Sequence, residues 1–278
     1  MPVSVADKRA AFRRLHERGC FVLPNPWDIG SALALAQIGF KALASTSAGF
    51  AWSIGRADNA VSCDDVIVHL TALCAAVDVP VNADFEGGFA DAPEGVAANV
   101  ARAVATGVAG LSIEDSTGDP AAPLYEHSLA VERIAAARAA IDASGADVLL
   151  VGRCESFFLG RPDLDLVLAR LTAYADAGAD CLYAPGLRNK SDIAAVVQAV
   201  HPKPVNLLIG WDGLTVAEAA ALGVRRISVG GALARAAWAA TLRSAREIFE
   251  TGSFATLAQG HPAVELNRMF AAGRTTAG

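Results

Sequence analysis

Acidic side chains stand where several short apolar runs of the sequence end. Asp58 follows the second such run, Asp84 ends the third, and Glu114 ends the fourth. If these runs are parallel strands, the three carboxylates converge, repel one another and resist ionising together. A hard divalent cation relieves this repulsion, and Mg²⁺ needs few protein carboxylates because it keeps water and substrate oxygens as ligands. The pattern predicts a Mg²⁺ site at these three residues, with Mn²⁺ as an alternative ion.

Polar side chains that could bind a substrate lie on the same set of runs. Arg153 ends the fifth run and offers a planar guanidinium that can hold a carboxylate through two parallel hydrogen bonds. Smaller polar residues lie on the second, third and seventh runs, namely Ser45, Thr46, Ser47, Asn82 and Asn206. We therefore expect Arg153 to bind a substrate carboxylate and to act in catalysis with Asp84 and Glu114, and the smaller residues to lie around the substrate. A structural alternative stays open, because strand-end carboxylates also cap helices or pair with a nearby arginine.

Eight short apolar or β-branched runs recur along the chain, and Ala-rich amphipathic segments follow them. The runs occupy residues 20–24, 41–46, 79–84, 110–115, 147–153, 180–185, 203–209 and 225–230. Strands that alternate with helices favour parallel pairing and right-handed crossovers. Eight such units predict a TIM-type (β/α)₈ barrel, in which catalytic side chains lie at the C-terminal ends of the strands. An open, doubly wound α/β sheet is the alternative.

No linker or shift in composition divides the sequence, so residues 1–278 are predicted to form a single barrel domain. Residues 231–278 are predicted to form C-terminal helices, one long and one short, and the short one carries Leu266, Met269 and Phe270. A terminal amphipathic helix without a partner on its own barrel is expected to pack on a neighbouring subunit.

Composition argues against several classes of protein. The formal net charge is −6 and no basic run is present, which disfavours binding to nucleic acid or to an anionic membrane. No apolar stretch of about 18 residues is present, and the charged N-terminus does not look like a signal peptide. The five cysteines form no C-x-x-C pair, which is typical of reduced thiols. We expect a cytoplasmic protein that acts on a small molecule.

Several motifs, in order, resemble the isocitrate lyase/phosphoenolpyruvate mutase superfamily over nearly the whole chain. They are LPNPWDIGSALA, STSAGFAWSIGRAD, the metal-loop variant VNADFEGGFA, SIEDS with the strand-four glutamate, and VGRCESF. The resemblance implies a (β/α)₈ barrel, Mg²⁺, a 2-oxo acid or enolate, and cleavage or formation of C–C or P–C bonds. It also implies a homotetramer, a dimer of dimers, that exchanges its last helix between barrels.

The resemblance assigns roles to the same residues that the strand ends suggested. It places Ser45 to Ser47 at the substrate carboxylate and oxo group, and Arg153 at the substrate. Asp58, Asp84 and Glu114 would surround the metal. The first Asp of the family's D-A-D-x-G-x-G loop is Asn82 here, so metal binding is weaker or Asp84 becomes the inner ligand. Restoring Asp at residue 82 is expected to tighten Mg²⁺ binding if that residue faces the ion.

The loop from Ser116 to Ser128 also departs from the family. It lacks the Lys and Cys of the lyases' K-K/R-C-G motif, which disfavours isocitrate and 2-methylisocitrate lyase activity. The mutase's loop lysine is missing too, which puts phosphoryl migration in doubt. The strong polar side chains left in this loop are Asp119, Tyr125, Glu126 and His127.

Decarboxylation requires an electron sink but no general base to start it. It is therefore compatible with a loop that lacks the lyases' Lys and Cys. Our first hypothesis is a Mg²⁺-dependent C–C lyase that converts a small, oxaloacetate-like 2-oxo dicarboxylic acid through a pyruvate enolate. One alternative is a P–C bond enzyme similar to phosphonopyruvate hydrolase or phosphoenolpyruvate mutase. The other is a 2-oxo acid binding protein with little catalysis.

Overall fold

The computed structural model describes residues 3–272 and shows eight parallel strands in one sheet. The strands are β1 (Phe21–Leu23), β2 (Leu43–Ala44), β3 (Val81–Asp84), β4 (Gly110–Glu114), β5 (Leu149–Arg153), β6 (Cys181–Tyr183), β7 (Val205–Leu208) and β8 (Arg226–Ser228). Their order is β1-β8-β7-β6-β5-β4-β3-β2, and the N–H of Ala44 donates to the carbonyl of Pro24 across the remaining junction. Each strand lies inside one of the predicted runs, which confirms the TIM-type barrel.

Helices surround this sheet and connect its strands. They are α1 (Val5–Glu17), α2 (Ile29–Ile38), α3 (Ser47–Ser53), α4 (Cys63–Ala76), α5 (Pro93–Ala105), α6 (His127–Ala143), α7 (Leu164–Asp176), α8 (Lys190–Ala199), α9 (Val216–Ala221), α10 (Ala232–Thr251) and α11 (Ala263–Ala272), with a 3₁₀ helix at Ala255–Gln259. None of the helices in the described part of the chain is both long and apolar enough to cross a membrane.

Side chains alternate between the two faces of each strand, and this alternation separates the core from the site. On β3 the outward residues Val81 and Ala83 belong to the large core cluster, which also contains Val96 and Val100 of α5. Asn82 and Asp84 lie on the opposite face and line the inside of the barrel. The hydrophobic packing of strand against helix therefore directs the polar residues inward.

The first helix closes the N-terminal end of the barrel. Phe12 of α1 is fully buried and packs with Leu23 and Leu149 in a small cluster of its own. His16, one turn later, lies between the rings of Phe12 and Phe21 in edge-to-face contacts. Because this end is filled by α1, polar side chains inside the barrel are reached from the C-terminal ends of the strands.

The C-terminal helices differ in part from the expectation. The last described helix has a partner on its own barrel, because α11 lies against α2 and the Gln37 side-chain amide donates to the carbonyl of Met269 (2.6 Å). Large apolar side chains of α10 remain exposed, including Trp238, Leu242 and Phe249. Exchange of the last helix between subunits stays a prediction. The prediction of a single domain covers residues 1–278, and that of C-terminal helices covers residues 231–278. Both predictions include residues that lie outside the described part of the chain, namely 1–2 for the domain and 273–278 for both.

Gly110 at the start of β4 leaves room for both the closing helix and the polar interior. A Cβ atom there would lie 2.7 Å from Asn82 Oδ1 and 2.7 Å from Phe12 Cε1. We expect Gly110→Ala to lower the free energy of unfolding by about 1–3 kcal/mol, since this packed region cannot accept another methyl group. Urea denaturation followed by circular dichroism measures the change.

Gly30→Ala is the matched control, because its nearest new contact would be Asp28 Oδ1 at an ordinary 3.5 Å and the residue lies in a helix. It is expected to leave stability unchanged or to raise it by up to about 1 kcal/mol. A Gly110→Ala protein as stable as the wild type would contradict the packing described for this end of the barrel.

Candidate active site

A cavity of about 390 Å³ opens inside the barrel at the C-terminal ends of the strands. Most of the residues predicted for the site line it: Ser45, Thr46, Ser47, Asp58, Asn82, Asp84, Arg153 and Asn206. Glu114 is not among the lining residues but contacts the cavity residue Arg153. The structure therefore brings the strand-end residues together in one place.

Arg153 forms the centre of the acidic part of this cavity. Its Nη1 lies 3.2 Å from Asp84 Oδ1 and 3.1 Å from Glu114 Oε2, while its Nε donates to Glu155. Burial by itself would lower the pKa of Arg153, but Glu114 and Glu155 beside it raise that pKa well above the ordinary value. The guanidinium predicted to hold a substrate carboxylate thus also holds three carboxylates of its own chain.

Carboxyl groups nevertheless outnumber positive charges around Arg153. Burial raises the pKa of Glu114 well above its ordinary value, although Arg153 opposes that shift. Burial, followed by repulsion from Asp84, raises the pKa of Asp58 and raises that of Glu86 to about 8. Raised values of this kind arise where carboxylates are buried close to one another without enough positive charge to balance them.

The segment after β2 holds Asp84 in place. The Ser47 N–H donates to Asp84 Oδ2 (2.9 Å), and the Asp84 N–H donates to Ser45 Oγ (2.8 Å). Thr46 caps the N-terminus of α3 by accepting the Gly49 N–H (3.3 Å). These residues, predicted to bind substrate, also orient the carboxylate that we expected to bind metal.

Asn82 lies below the carboxylates and belongs to a different group of side chains. Its Oδ1 accepts a hydrogen bond from Nη1 of Arg226 (3.3 Å), and its Nδ2 donates to the Ala83 carbonyl (3.0 Å). Asn206 Oδ1 accepts from Nε of the same arginine (2.8 Å). Residue 82 therefore faces a cation of the protein, so an Asp at this position would have Arg226 as a partner other than the metal.

The residues present fit a Mg²⁺ ion of the kind predicted. Among residues 3–272, no three His, Cys, Asp or Glu side chains converge closely enough to enclose a metal by themselves. Mg²⁺ does not require such an enclosure, since one or two carboxylates suffice when water and substrate supply the other oxygens. Asp84 and Asp58 line the cavity and would hold the ion, whose charge would in turn favour ionisation of the nearby Glu114 and Glu86.

The loop after β4 lies away from the cavity. None of its described residues lines the cavity. The Tyr125 hydroxyl donates to Asp91, and the guanidinium carbon of Arg133 lies 3.9 Å from the centre of the Tyr125 ring. His127 is exposed at the start of α6. This loop therefore presents no acid or base to the cavity in the described structure.

Several cavity residues were not predicted from the sequence. They are Asn25, Trp52, Ser112, Phe158, Tyr183, Arg188, Trp211, Arg226, Ser228 and Arg235. Arg226 and Ser228 could have been found, because the two-residue period of β8 places both on the inner face. Glu86 also carried a signal: it stands where the family's metal loop has a glycine, and its backbone has a positive φ of 47°.

Comparison with known proteins identifies the family to which the chain belongs. The family model for phosphoenolpyruvate phosphomutase matches residues 12–249. A protein of Mycobacterium tuberculosis described as uncharacterised is 34% identical over 240 residues, which cover 86% of this chain and 88% of that protein. A protein of Pseudomonas aeruginosa named oxaloacetate decarboxylase is 29% identical over 264 residues, which cover 90% of this chain and 88% of that protein.

Solved structures agree with the family model. A crystal structure from Burkholderia cenocepacia J2315, attributed to a lyase or mutase, superimposes with a TM-score of 0.93 at 50% identity, covering 96% of this chain and 97% of that one. Other similar proteins are named 2-methylisocitrate lyase and 2,3-dimethylmalate lyase. The chain therefore belongs to the phosphoenolpyruvate phosphomutase family of the isocitrate lyase/phosphoenolpyruvate mutase superfamily, whose members are lyases and mutases.

Proposed function

We propose that this protein is a Mg²⁺-dependent carbon–carbon lyase that acts on a small, oxaloacetate-like 2-oxo dicarboxylic acid. The observation that carries the proposal is the surplus of carboxylates around Arg153 in a cavity to which the loop after β4 contributes no acid or base. Such a cavity fits a reaction that requires an electron sink and does not require a general base. The similarity to an oxaloacetate decarboxylase supports the same choice of substrate.

The proposed reaction breaks the bond between C3 and C4 of the substrate. C4 leaves as CO₂, the bonding electron pair passes through C3 to the oxo oxygen on C2, and a proton added later to C3 completes pyruvate. Mg²⁺, when bound, supplies positive charge that favours the enolate oxygen over the neutral ketone. Asp84 and Asp58 would hold that ion.

The side chains around the cavity position the substrate and limit access of water. Arg153 has one nitrogen, Nη2, outside the contacts described above, and this nitrogen can donate to a substrate carboxylate while Nη1 and Nε keep the acidic residues in place. Aromatic side chains of Trp52, Phe158 and Trp211 line the cavity with it. A less hydrated cavity strengthens the electrostatic stabilisation of an enolate.

Cleavage of a P–C bond is the second candidate. Two further arginines, Arg188 and Arg235, line the cavity and would suit the larger negative charge of a phosphonate. The substrate would then be a phosphonopyruvate-like acid, with inorganic phosphate as a product. A 2-oxo acid binding protein with little catalysis is the third outcome, and it would show binding without turnover.

The substrate test compares oxaloacetate and phosphonopyruvate, each with Mg²⁺ and after removal of divalent ions. We expect Mg²⁺-dependent release of CO₂ and pyruvate from oxaloacetate, above the metal-catalysed rate measured without protein. Asp84→Asn is the control, because it keeps the size of the side chain and removes the expected metal-binding charge. Phosphate release would favour the second candidate, and a rise in melting temperature without product would favour the binding protein.

Removal of Arg153 is expected to lower turnover far more than changes in the loop after β4. Arg153→Ala should cost about a hundredfold or more in kcat/KM, since a substrate carboxylate and three protein carboxylates lose their cation. Tyr125→Phe and His127→Ala should each cost under about tenfold, because water can replace a proton donor at this step. Steady-state kinetics on folded variants measures both. A loss of about a hundredfold from either loop variant, at unchanged substrate binding, would place an essential acid or base in the loop.

Asn82→Asp is expected to leave the affinity for Mn²⁺ unchanged, within about threefold. The new carboxylate would pair with Arg226, whose Nη1 already donates to Oδ1 of residue 82 (3.3 Å). Titration of the metal-free protein with Mn²⁺, followed by electron paramagnetic resonance, measures the affinity without turnover. A tenfold or greater tightening, taken as about 1.4 kcal/mol, would show that residue 82 reaches the ion.

A further inference from the structure

Arg226 of β8 is a buried cation inside the barrel. It is 2% exposed and lines the cavity. Its Nε donates to Asn206 Oδ1 (2.8 Å), and its Nη1 donates to Asn82 Oδ1 (3.3 Å) and lies 3.3 Å from His16 Nε2. Among the hydrogen bonds of residues 3–272, none involves Nη2 of this arginine. The guanidinium is thus fixed from two sides, and one of its nitrogens is left for another partner.

All the partners of Arg226 are neutral. The two asparagines offer amide oxygens, which orient the guanidinium without balancing its charge. Burial, with a smaller effect of Arg226 itself, lowers the pKa of His16 to about 3, so the imidazole is uncharged at neutral pH. Nδ1 of His16 lies 2.8 Å from the Phe12 carbonyl and can donate to it, which leaves Nε2 as the acceptor for Arg226.

The acidic residues above do not neutralise this charge. Within the described residues, no carboxylate lies within ion-pair distance of Arg226, whereas Asp84, Glu114 and Glu155 all contact Arg153. Burial lowers the pKa of Arg226, opposed by Cys181 and Tyr183, and no carboxylate contributes to that shift. A guanidinium nevertheless stays charged at neutral pH.

A buried charge without a counter-ion is costly, and proteins pair such charges with ions of opposite sign. The hydroxyls of Ser112 and Ser228 line the same cavity as Arg226, and Ser228 already accepts from Asn206 Nδ2 (3.0 Å). The surroundings of Arg226 therefore combine a fixed cation with the nearby Ser228 hydroxyl, and no carboxylate of residues 3–272 pairs with that cation, which is the chemistry of a site for a small anion.

We propose that Arg226, oriented by Asn82 and Asn206, forms a carboxylate-binding subsite at the floor of the cavity that works without a metal ion. The assignment of its ligand rests on the proposed function. An ion pair stabilises a carboxylate against loss as CO₂, so a carboxylate held here is one that the product keeps. For an oxaloacetate-like substrate, this is the carboxylate next to the oxo group, and pyruvate keeps it after cleavage.

Calorimetric titration of oxalate into metal-free protein tests the subsite. Arg226→Gln removes the charge and keeps an N–H donor, and we expect oxalate affinity to fall about tenfold or more. Arg226→Lys keeps the charge and should stay within about fivefold of the wild type. The matched control is Arg225→Gln, which removes the same charge from the preceding residue, whose Nη1 donates to the Gly19 carbonyl outside the cavity.

Wild-type affinity in Arg226→Gln, or an equal loss in Arg225→Gln, would overturn the proposal. If Arg226→Gln does not fold, wild-type crystals soaked in bromide give a second test. We expect anomalous density within about 3.5 Å of Arg226 Nη2, and its absence would also overturn the proposal. Neither measurement involves turnover. A protein that binds oxalate through Arg226 but releases no CO₂ would therefore disprove the proposed reaction and leave the subsite intact.

Discussion

Arg153 forms ion pairs with several acidic side chains, and the arrangement of the other site residues depends on these ion pairs. This arginine lies at the end of β5, next to β4, and it touches acidic residues that lie at or just beyond the ends of three different strands. Without its charge, Asp84, Glu114 and Glu155 would face one another in a largely buried space, where like charges resist ionising. Arg153 permits this concentration of carboxylates but does not balance it. The carboxyl groups that Arg153 leaves unbalanced are the ones that the proposed divalent cation would neutralise, and through that cation an anionic substrate would bind.

The interior of the barrel is arranged in levels that differ in charge. Phe12 and His16 of α1 close the N-terminal end, and Arg226 with its two asparagines lies above them. The acidic group around Arg153 lies at the C-terminal ends of the strands. Asn82 and Asp84 are only two residues apart on β3, yet they belong to different levels. Each contacts an arginine, but the arginine beside Asp84 also holds other carboxylates, whereas no carboxylate of residues 3–272 pairs with the one beside Asn82. The period of a strand accounts for the difference in level, since successive inward residues are displaced along the barrel.

Local patterns in the sequence were sufficient to predict the barrel and the set of strand-end residues. Each strand is a short buried run with its own turn signals, and parallel packing brings the ends of such runs together. Contacts across the barrel were not predictable in the same way. Arg226 and Asn82 are 144 residues apart, and alternation shows that both face inward but not that they meet. The position of α11 against α2 likewise depends on the path of a long tail rather than on any local pattern.

Residue types alone also did not show which groups Arg153 contacts. A strand-end arginine beside acidic strand ends can bind a substrate, a protein carboxylate or both, and only distances separate these roles. The distances show that Nη1 and Nε are held by protein carboxylates. The same holds for Ser45 and Ser47, which fix Asp84 through hydrogen bonds that no motif specifies.

In the proposed function, the carboxylates around Arg153 hold a divalent ion together with an enolate-like ligand. A crystal structure with Mn²⁺ and oxalate, which imitates the enolate of pyruvate, tests it most directly because anomalous scattering identifies the metal. We expect a Mn²⁺ peak beside Asp84 and Asp58, with oxalate in the cavity between the metal and the guanidinium groups of Arg153 and Arg226. A Mn²⁺ peak on Asn82, or oxalate bound in the cavity without any metal beside Asp84, would contradict the proposed function.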